Sequence, residues 1–176
     1  MFFRKKTQRF ETYLDRLFGY ALAMSRDKEL AADLVQDCVL RVMKARNIPK
    51  DEAAYRSWLF TIIRNLWFDY LRSSKRHALV EPLNDSHEEI VTEDFETTVV
   101  NVVAVRQAFE DLTVEHRDIL ALVDIGGFSY DETSKMLNIP KGTVMSRISR
   151  ARATLAGLLN DDNVVEMKSH AKREKL

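Results

Sequence analysis

Residues 128–147 contain the most specific local pattern in this chain. They read Phe128-Ser129-Tyr130-Asp131-Glu132-Thr133-Ser134-Lys135-Met136-Leu137-Asn138-Ile139-Pro140-Lys141-Gly142-Thr143-Val144-Met145-Ser146-Arg147. Ser129 and Glu132 form a capping box, in which the serine hydroxyl accepts a hydrogen bond from the Glu132 N–H and the Glu132 carboxylate accepts one from the Ser129 N–H. Asn138 and Pro140 end the helix that this box begins, and a second helix starts directly afterwards. The stretch therefore predicts two helices joined by a tight turn.

Two helices in this arrangement form a helix-turn-helix, whose second helix enters the major groove of DNA. Helical spacing puts one set of apolar residues on a packing face: Val144, Ile148, Ala151 and Leu155. Residues 141–152 contain four basic residues and no acid, and Arg, Ser and Thr suit base edges and phosphates. The alternative is an ordinary surface helix with a solvated basic face. We expect DNA contact from Lys141, Thr143, Val144, Ser146, Arg147, Arg150 and Arg152.

The rest of the chain also has a helical pattern, since apolar residues recur at spacings of three and four and only 5 Gly and 3 Pro are present. Breaks are predicted near Ser25-Arg26-Asp27 and near Asn47-Ile48-Pro49. No Lys or Arg occurs from His77 to Val105, where seven acids and Pro82 indicate a linker. The sequence thus predicts an all-α protein with two small helical domains, at residues 1–78 and 99–159. An acidic linker at 79–98 joins them, and a loosely ordered tail follows at 160–176.

The helix predicted from Trp58 to about Arg72 carries a second candidate nucleic-acid surface. Its apolar face consists of Trp58, Leu59, Ile62, Ile63, Leu66 and Tyr70. Helical spacing places Phe68 beside Arg64 and Arg72 on the other arc, together with Thr61 and Asn65. An aromatic ring between arginines suits single-stranded nucleic acid, because bases stack on the ring while guanidinium groups bind phosphates. The alternative is that Phe68 and Trp67 pack against a neighbouring helix.

Composition excludes several classes of function. The formal net charge is zero, so nucleic-acid binding must depend on local patches. The four histidines and the single cysteine have no zinc-ligand spacing, so no metal and no cofactor are predicted, and Cys38 is expected to be a small buried hydrophobe. The charged start of the chain does not match a signal peptide, and no apolar run reaches the ~20 residues of a membrane span. We expect a cytoplasmic protein without membrane insertion.

Four motifs, in this order and spacing, resemble those of the extracytoplasmic-function (ECF) sigma factors, group 4 of the sigma-70 superfamily. They are Ala32-Asp33-Leu34-Val35-Gln36-Asp37, Trp58-Leu59-Phe60-Thr61-Ile62-Ile63-Arg64-Asn65, Phe128-Ser129-Tyr130-Asp131-Glu132, and Pro140-Lys141-Gly142-Thr143-Val144-Met145-Ser146-Arg147-Ile148-Ser149-Arg150-Ala151-Arg152. The resemblance implies a non-catalytic initiation factor for core RNA polymerase. Its first domain would read and melt the promoter −10 element, and its second would read the −35 element.

The resemblance also implies roles for individual residues. The helix from Asp33 to Met43 would dock on the β′ coiled coil of core RNA polymerase, although Met43 stands near a position where many relatives have an aromatic residue. The β subunit would be a further partner of the protein. The loop at residues 47–56 would capture a flipped base. The polymerase-binding residues would be Asp33, Gln36, Asp37 and Arg41. The −10 residues would be Arg56, Arg64, Asn65, Phe68, Arg72 and Arg76. Family members are usually held inactive by an anti-sigma factor, which we expect here.

Two other functions remain open on sequence grounds. A stand-alone helix-turn-helix regulator would bind a duplex operator without polymerase, but it leaves Phe68 beside the two arginines unexplained. A helical nuclease is the second alternative. Its case is weaker, because the acids cluster in the linker and no Ser/His/Asp or Cys/His set is evident.

Overall fold

The computed structural model describes residues 8–78, 105, 107–109 and 111–171, and every regular element in these ranges is helical. The predicted all-α class and the division into two helical domains are confirmed. The acidic linker expected at 79–98 lies outside the described residues, as do the last five residues of the tail.

The first domain contains a helical turn at residues 8–11 and three helices: α1 (Leu14–Ser25), α2 (Lys28–Lys44) and α3 (Glu52–Ala78). The two predicted breaks are confirmed. At the first, Arg26 adopts a left-handed conformation with φ of 62° and its N–H donates to the Leu22 carbonyl, which ends α1. Asp27 then caps α2, since its side chain accepts hydrogen bonds from the N–H groups of Glu29 and Leu30.

The core of the first domain lies where these three helices meet. Its largest fully buried side chains include Leu17, Tyr20, Met24, Tyr55, Leu59, Phe60 and Ile63. Cys38 is buried among them, as expected, and its burial raises the pKa of the thiol to about 12. The prediction that Tyr70 belongs to the core was wrong, because Trp67 is buried in its place and Tyr70 remains 42% exposed. Tyr70 stacks on the Trp67 ring from the solvent side, with ring centroids 5.8 Å apart.

The second domain contains α4 (Val114–Leu120), a π-helical turn (Ala121–Ile125), α5 (Tyr130–Leu137) and α6 (Lys141–Ala171). Its own core consists of Leu112, Ile119, Leu120, Val144, Ile148 and Ala151. In residues 160–171, where the sequence predicted a loosely ordered tail, α6 continues. No Gly or Pro occurs between Leu158 and Ala171 to end the helix.

The two domains pack against each other, a contact that the sequence did not predict. Ala121, Leu122 and Phe128 of the second domain are buried in the core of the first. Phe128 meets Phe60 edge to face, with centroids 5.0 Å apart and ring planes at 82°. Gly19 of α1 lies so close to the π-helical turn that a Cβ atom there would be 3.1 Å from the Ile125 Cγ2 atom.

Candidate nucleic-acid and polymerase interfaces

The helix-turn-helix forms as predicted. The Ser129 N–H donates to the Glu132 Oε2 atom at 2.8 Å, and the Glu132 N–H donates to the Ser129 hydroxyl at 3.3 Å, which completes the capping box at the start of α5. Asn138 ends α5 in a left-handed conformation with φ of 53°. The Pro140 carbonyl accepts hydrogen bonds from the Thr143 and Val144 N–H groups and so begins α6. Residues 138–140 therefore form the tight turn that connects the two helices.

The inner face of α6 packs against the rest of its domain. Val144, Ile148 and Ala151 are buried, and Leu155 is half-buried, as their spacing predicted. The inclusion of Val144 among the DNA-contacting residues was wrong. Its side chain is fully buried, because it faces α4 and not the groove side of the helix, and it cannot reach a base edge.

The outer face of α6 presents the predicted cations in two different states. Lys141 lies 2.8 Å from Asp131, and Arg152 lies 2.7 Å from Asp124. Arg147 and Arg150 have no ion pair within the part of the chain that the structure describes. These two arginines are thus the cations of this surface that carry uncompensated charge.

Two small residues share the arc of Arg147 and Arg150, and a large apolar residue is exposed on another arc of α6. Thr143 and Ser146 are half-buried, and the Ser146 hydroxyl donates to the Thr143 carbonyl at 3.0 Å. Met145 is 51% exposed, and sequence reasoning missed it. The sequence signal for an exposed Met145 was its position, because it is an apolar residue between Val144 and Ser146 that lies outside the predicted packing face.

The predicted single-strand surface lies along α3. Asn65 is exposed, Phe68 is half-buried at the edge of the core, and Arg72 is exposed and bonded to Asp69. The Arg64 guanidinium lies 4.7 Å from the centre of the Phe68 ring. The structure thus brings Phe68 and Arg64 together, as predicted. Phe68 also packs against the core of the first domain, which is what the alternative interpretation expected. The side chain of Arg76 lies outside the described residues.

Two arginines of this surface bind the second domain. The Arg64 Nε and Nη2 atoms are both 2.8 Å from the Asp118 Oδ2 atom on α4. The Arg56 Nη2 atom is 2.6 Å from the Glu132 Oε1 atom on α5, and its guanidinium lies 4.4 Å from the centre of the Phe128 ring. Sequence reasoning placed both arginines on a DNA-facing surface and gave them no protein partner.

Asp118 is the central acceptor of this contact. Its side chain is 6% exposed, and its Oδ1 atom accepts a 2.7 Å hydrogen bond from the Tyr20 hydroxyl. Burial, followed by the nearby Asp118 carboxylate, raises the pKa of Tyr20 well above its usual value. Sequence reasoning missed Asp118. Its only signal was an acid directly before the apolar run of residues 119–123.

Two family models match the chain: sigma-70 region 2 over residues 9–77, and sigma-70 region 4 over residues 103–155. The ECF RNA polymerase sigma factor SigM of Mycobacterium tuberculosis is 37% identical over 152 residues, which are 86% of this chain and 76% of SigM. This chain belongs to the ECF sigma factors. Another similar member is EcfG of Rhodopseudomonas palustris, 32% identical over 147 residues, which are 83% of this sigma factor and 80% of EcfG.

Solved structures agree with this assignment. The sigma factor RpoE of Bartonella quintana, in complex with the anti-sigma factor NepR, matches with a TM-score of 0.70 and 26% identity. The match covers 88% of this sigma factor and 96% of RpoE. CnrH, in complex with the cytosolic domain of CnrY, matches with a TM-score of 0.65 and 24% identity over 90% of both chains, which supports the fold alone. Sigma factors are initiation factors that partner RNA polymerase.

The predicted polymerase-docking residues share one face of α2 in this sigma factor. Asp33, Gln36, Asp37 and Arg41 are exposed. Leu40 is 48% exposed and lies on the same face. Its helical spacing from Gln36 and Asp37 could have predicted this position. Beside this face, α1 and α2 form an open apolar groove lined by Leu14, Asp15, Phe18, Ala32, Val35, Gln36 and Val39. Met43 is half-buried and lies at the end of the helix.

Arg9 fixes the loop before α3, where family resemblance places base capture. Its guanidinium donates to the carbonyl oxygens of Pro49 at 2.7 Å and of Lys50 and Asp51 at 3.1 Å. It also pairs with Glu52 at 2.9 Å, and that carboxylate accepts a 2.6 Å hydrogen bond from the Tyr13 hydroxyl. Sequence reasoning missed Arg9, which has no local motif.

Within the described ranges, no cluster of three or more His, Cys, Asp or Glu residues could coordinate a metal ion. None of the described helices combines the length and apolarity that crossing a bilayer requires.

Proposed function

We propose that this sigma factor directs promoter-specific initiation by binding duplex DNA with α6 and unpaired DNA with α3 while α2 is docked on core RNA polymerase. The observation that supports this proposal most is that Arg147 and Arg150 on α6 have no ion pair among the residues that the structure describes. The factor supplies specificity and performs no catalysis itself. It acts in the cytoplasm, where polymerase and promoters meet.

In this proposal the second domain reads the −35 element. Arg147 and Arg150 bind guanine edges or phosphates, because a guanidinium fork matches both geometries. Thr143 and Ser146 contribute shorter polar contacts, and Lys141 and Arg152 bind phosphate once they leave their acidic partners. The N-terminus of α6 adds an attraction for phosphate.

The first domain reads and melts the −10 element. Phe68 offers a stacking surface to an unpaired base, Asn65 is exposed beside it, and Arg72 lies one turn further along α3. Arg56, Arg64 and Arg76 supply phosphate contacts. The loop held by Arg9 receives a flipped base.

The exposed stripe of Asp33, Gln36, Asp37 and Arg41 docks on the β′ coiled coil of the polymerase. The apolar groove between α1 and α2 and the exposed Leu40 support this assignment, because an amphipathic coiled coil offers apolar and charged side chains together. The β subunit is a further partner of the protein in this proposal. An anti-sigma factor controls the protein, a proposal that the resemblance to RpoE in its complex with NepR supports.

Gel-shift and run-off transcription assays with and without core polymerase test the proposal. We expect promoter-specific complexes and defined transcripts only when core enzyme is present. Tight binding of a duplex operator by the purified chain alone would favour the stand-alone regulator. Magnesium-dependent strand cleavage that disappears on substitution of one carboxylate would favour the nuclease.

A further inference from the structure

We infer that three aspartates, Asp69, Asp124 and Asp131, are internal counter-ions that lower the affinity of the free chain for DNA. Each lies against a cation that the proposed function assigns to DNA, and a phosphate must displace the carboxylate before it can bind that cation. The inference rests on the proposed function. It adds to that function the residues that weaken DNA binding.

Asp124 and Asp131 neutralise two cations of α6. The Arg152 Nη2 atom lies 2.7 Å from the Asp124 Oδ1 atom, and the Lys141 Nζ atom lies 2.8 Å from the Asp131 Oδ2 atom. Asp124 belongs to the π-helical turn and Asp131 to the first turn of α5, so both acids reach α6 from other elements of the same domain. The hydrogen bond to Asp124 raises the pKa of Arg152 above its usual value.

Asp69 has the corresponding position in the first domain. One of its oxygens accepts a hydrogen bond from Arg72, and the other lies 3.9 Å from the Arg41 Nη2 atom on α2. One carboxylate therefore faces two guanidinium groups, of which Arg72 is the one assigned to DNA. Asp69 reduces the positive charge that Arg72 presents to an unpaired strand.

The three ion pairs are too exposed to be needed for the fold. The aspartate side chains are 48–65% exposed, and ion pairs of this kind contribute little to stability. Their effect on DNA binding is larger, because a carboxylate left about 4 Å from a phosphate oxygen weakens binding about fivefold even in water. Removing one of these acids should therefore change DNA affinity without unfolding the protein.

The charge balance of the chain gives these pairs a large share in DNA affinity. The formal net charge is zero, so the chain as a whole is not attracted to DNA. Of the four cations of α6 that are assigned to DNA, two are paired with acids and two have no ion pair among the described residues. Affinity for phosphates rises with the number of cations that release counter-ions from DNA. Because each pair is weak, a holoenzyme that contacts DNA elsewhere can open it.

Asparagine variants of the full chain test the inference. We expect Asp124→Asn and Asp131→Asn each to bind a random-sequence duplex about fivefold more tightly than the wild type. Asp69→Asn should bind a single-stranded oligonucleotide more tightly by a similar factor. The control is Asp111→Asn, which changes the net charge equally at an exposed aspartate with no ion pair among the described residues. Fluorescence anisotropy with labelled DNA at several salt concentrations measures the affinities.

The salt dependence separates local neutralisation from a general effect of net charge. A plot of log affinity against log salt should become steeper by about 0.9 for each cation released to the duplex and by about 0.7 for the single strand. Adding Lys141→Ala to Asp131→Asn should abolish the gain in duplex affinity, because the released cation is then absent.

Two results would overturn the inference. One is equal DNA affinity of the folded variants and Asp111→Asn, and the other is a gain that persists in the combined Asp131→Asn and Lys141→Ala protein. An affinity below that of the wild type would also overturn it, since the acids would then orient the cations toward phosphate. The proposed function fails on different evidence: if the unmodified chain does not direct transcription with core enzyme, that function is wrong, whatever these affinities are.

Discussion

Val144 and Met145 are adjacent in α6, about 100° apart around the helix, and only Val144 is buried. The Val144 side chain is fully buried against the core of the second domain, while Met145 is 51% exposed. Val144 therefore contributes to the stability of the domain, and Met145 does not contribute through burial. Substitutions at the two positions should therefore have different effects.

Val144→Ala should lower the free energy of unfolding of the second domain by about 2 kcal/mol, because it removes buried methyl groups and leaves a cavity. Met145→Ala is the matched control, and we expect it to change stability by less than about 0.5 kcal/mol. Denaturant titration followed by circular dichroism measures both. A stable Val144→Ala protein with weakened promoter binding would return Val144 to the DNA-contacting set.

Arg147→Ala or Arg150→Ala should weaken promoter binding by the holoenzyme by about 1–3 kcal/mol where the side chain reads a base. Arg152→Ala should cost less, because Arg152 already lies 2.7 Å from Asp124. Competition gel shifts with core polymerase provide the measurement. Unchanged affinity and unchanged transcription for both variants would contradict the assignment of α6 as the recognition helix.

Phe68→Ala should leave closed-complex formation intact and reduce strand opening, because the ring supplies stacking for an unpaired base. Permanganate reactivity of thymines in the −10 region reports the opening directly. Tyr70→Ala is a useful control, since Tyr70 is an exposed aromatic residue of the same helix. Equal permanganate reactivity of the Phe68→Ala protein and the wild type would refute the role.

Glu132 should contribute a pH-dependent part of the stability. Partial burial would raise the pKa of its carboxyl, but hydrogen bonds from the Ser129 backbone and hydroxyl and from Arg56 outweigh this and lower it. A lowered folded-state pKa adds stability above the unfolded value of about 4.3, and that stability is lost as the pH falls through the folded value.

The variant Glu132→Gln should accordingly be less stable than the wild type at neutral pH, and the difference should shrink in the acid range. Thermal unfolding from neutral to acid pH measures this, with exposed Glu115→Gln as control. A constant difference between the wild type and Glu132→Gln at all pH values would contradict the linkage.

Asp37→Lys should weaken the association with core polymerase, because it reverses a charge in the middle of the exposed stripe on α2 without disturbing the core. The same reversal at exposed Asp111 on the second domain controls for net charge. Pull-down or fluorescence titration with core enzyme measures the loss. Equal binding of both variants would remove α2 from the docking surface.

Local sequence signals predicted most of the helices, because capping boxes, left-handed caps and Pro-containing turns act within a few residues. Such signals predicted the capping box of Ser129 and Glu132 and the buried face of α6. The partners of Arg56 and Arg64 could not be predicted in this way. Each arginine lies more than fifty residues in sequence from the carboxylate that it binds. A single amino-acid sequence contains no local signal for such pairs. The sequence predicted Tyr70 in the core, where the structure has Trp67, for a related reason. Helical spacing does not determine which of two neighbouring aromatic residues is buried and which lies at the edge of the core.

The contacts of Arg9 affect how the loop before α3 would receive a base. Three backbone carbonyls of residues 49–51 are already fixed by one guanidinium, which itself lies 3.8 Å from the centre of the Tyr55 ring. The conformational entropy of these residues is therefore given up when the domain folds and not when DNA arrives. A preorganised loop binds a ligand more tightly than a flexible one, so under the proposed function Arg9 would increase the affinity for the captured base without touching the promoter.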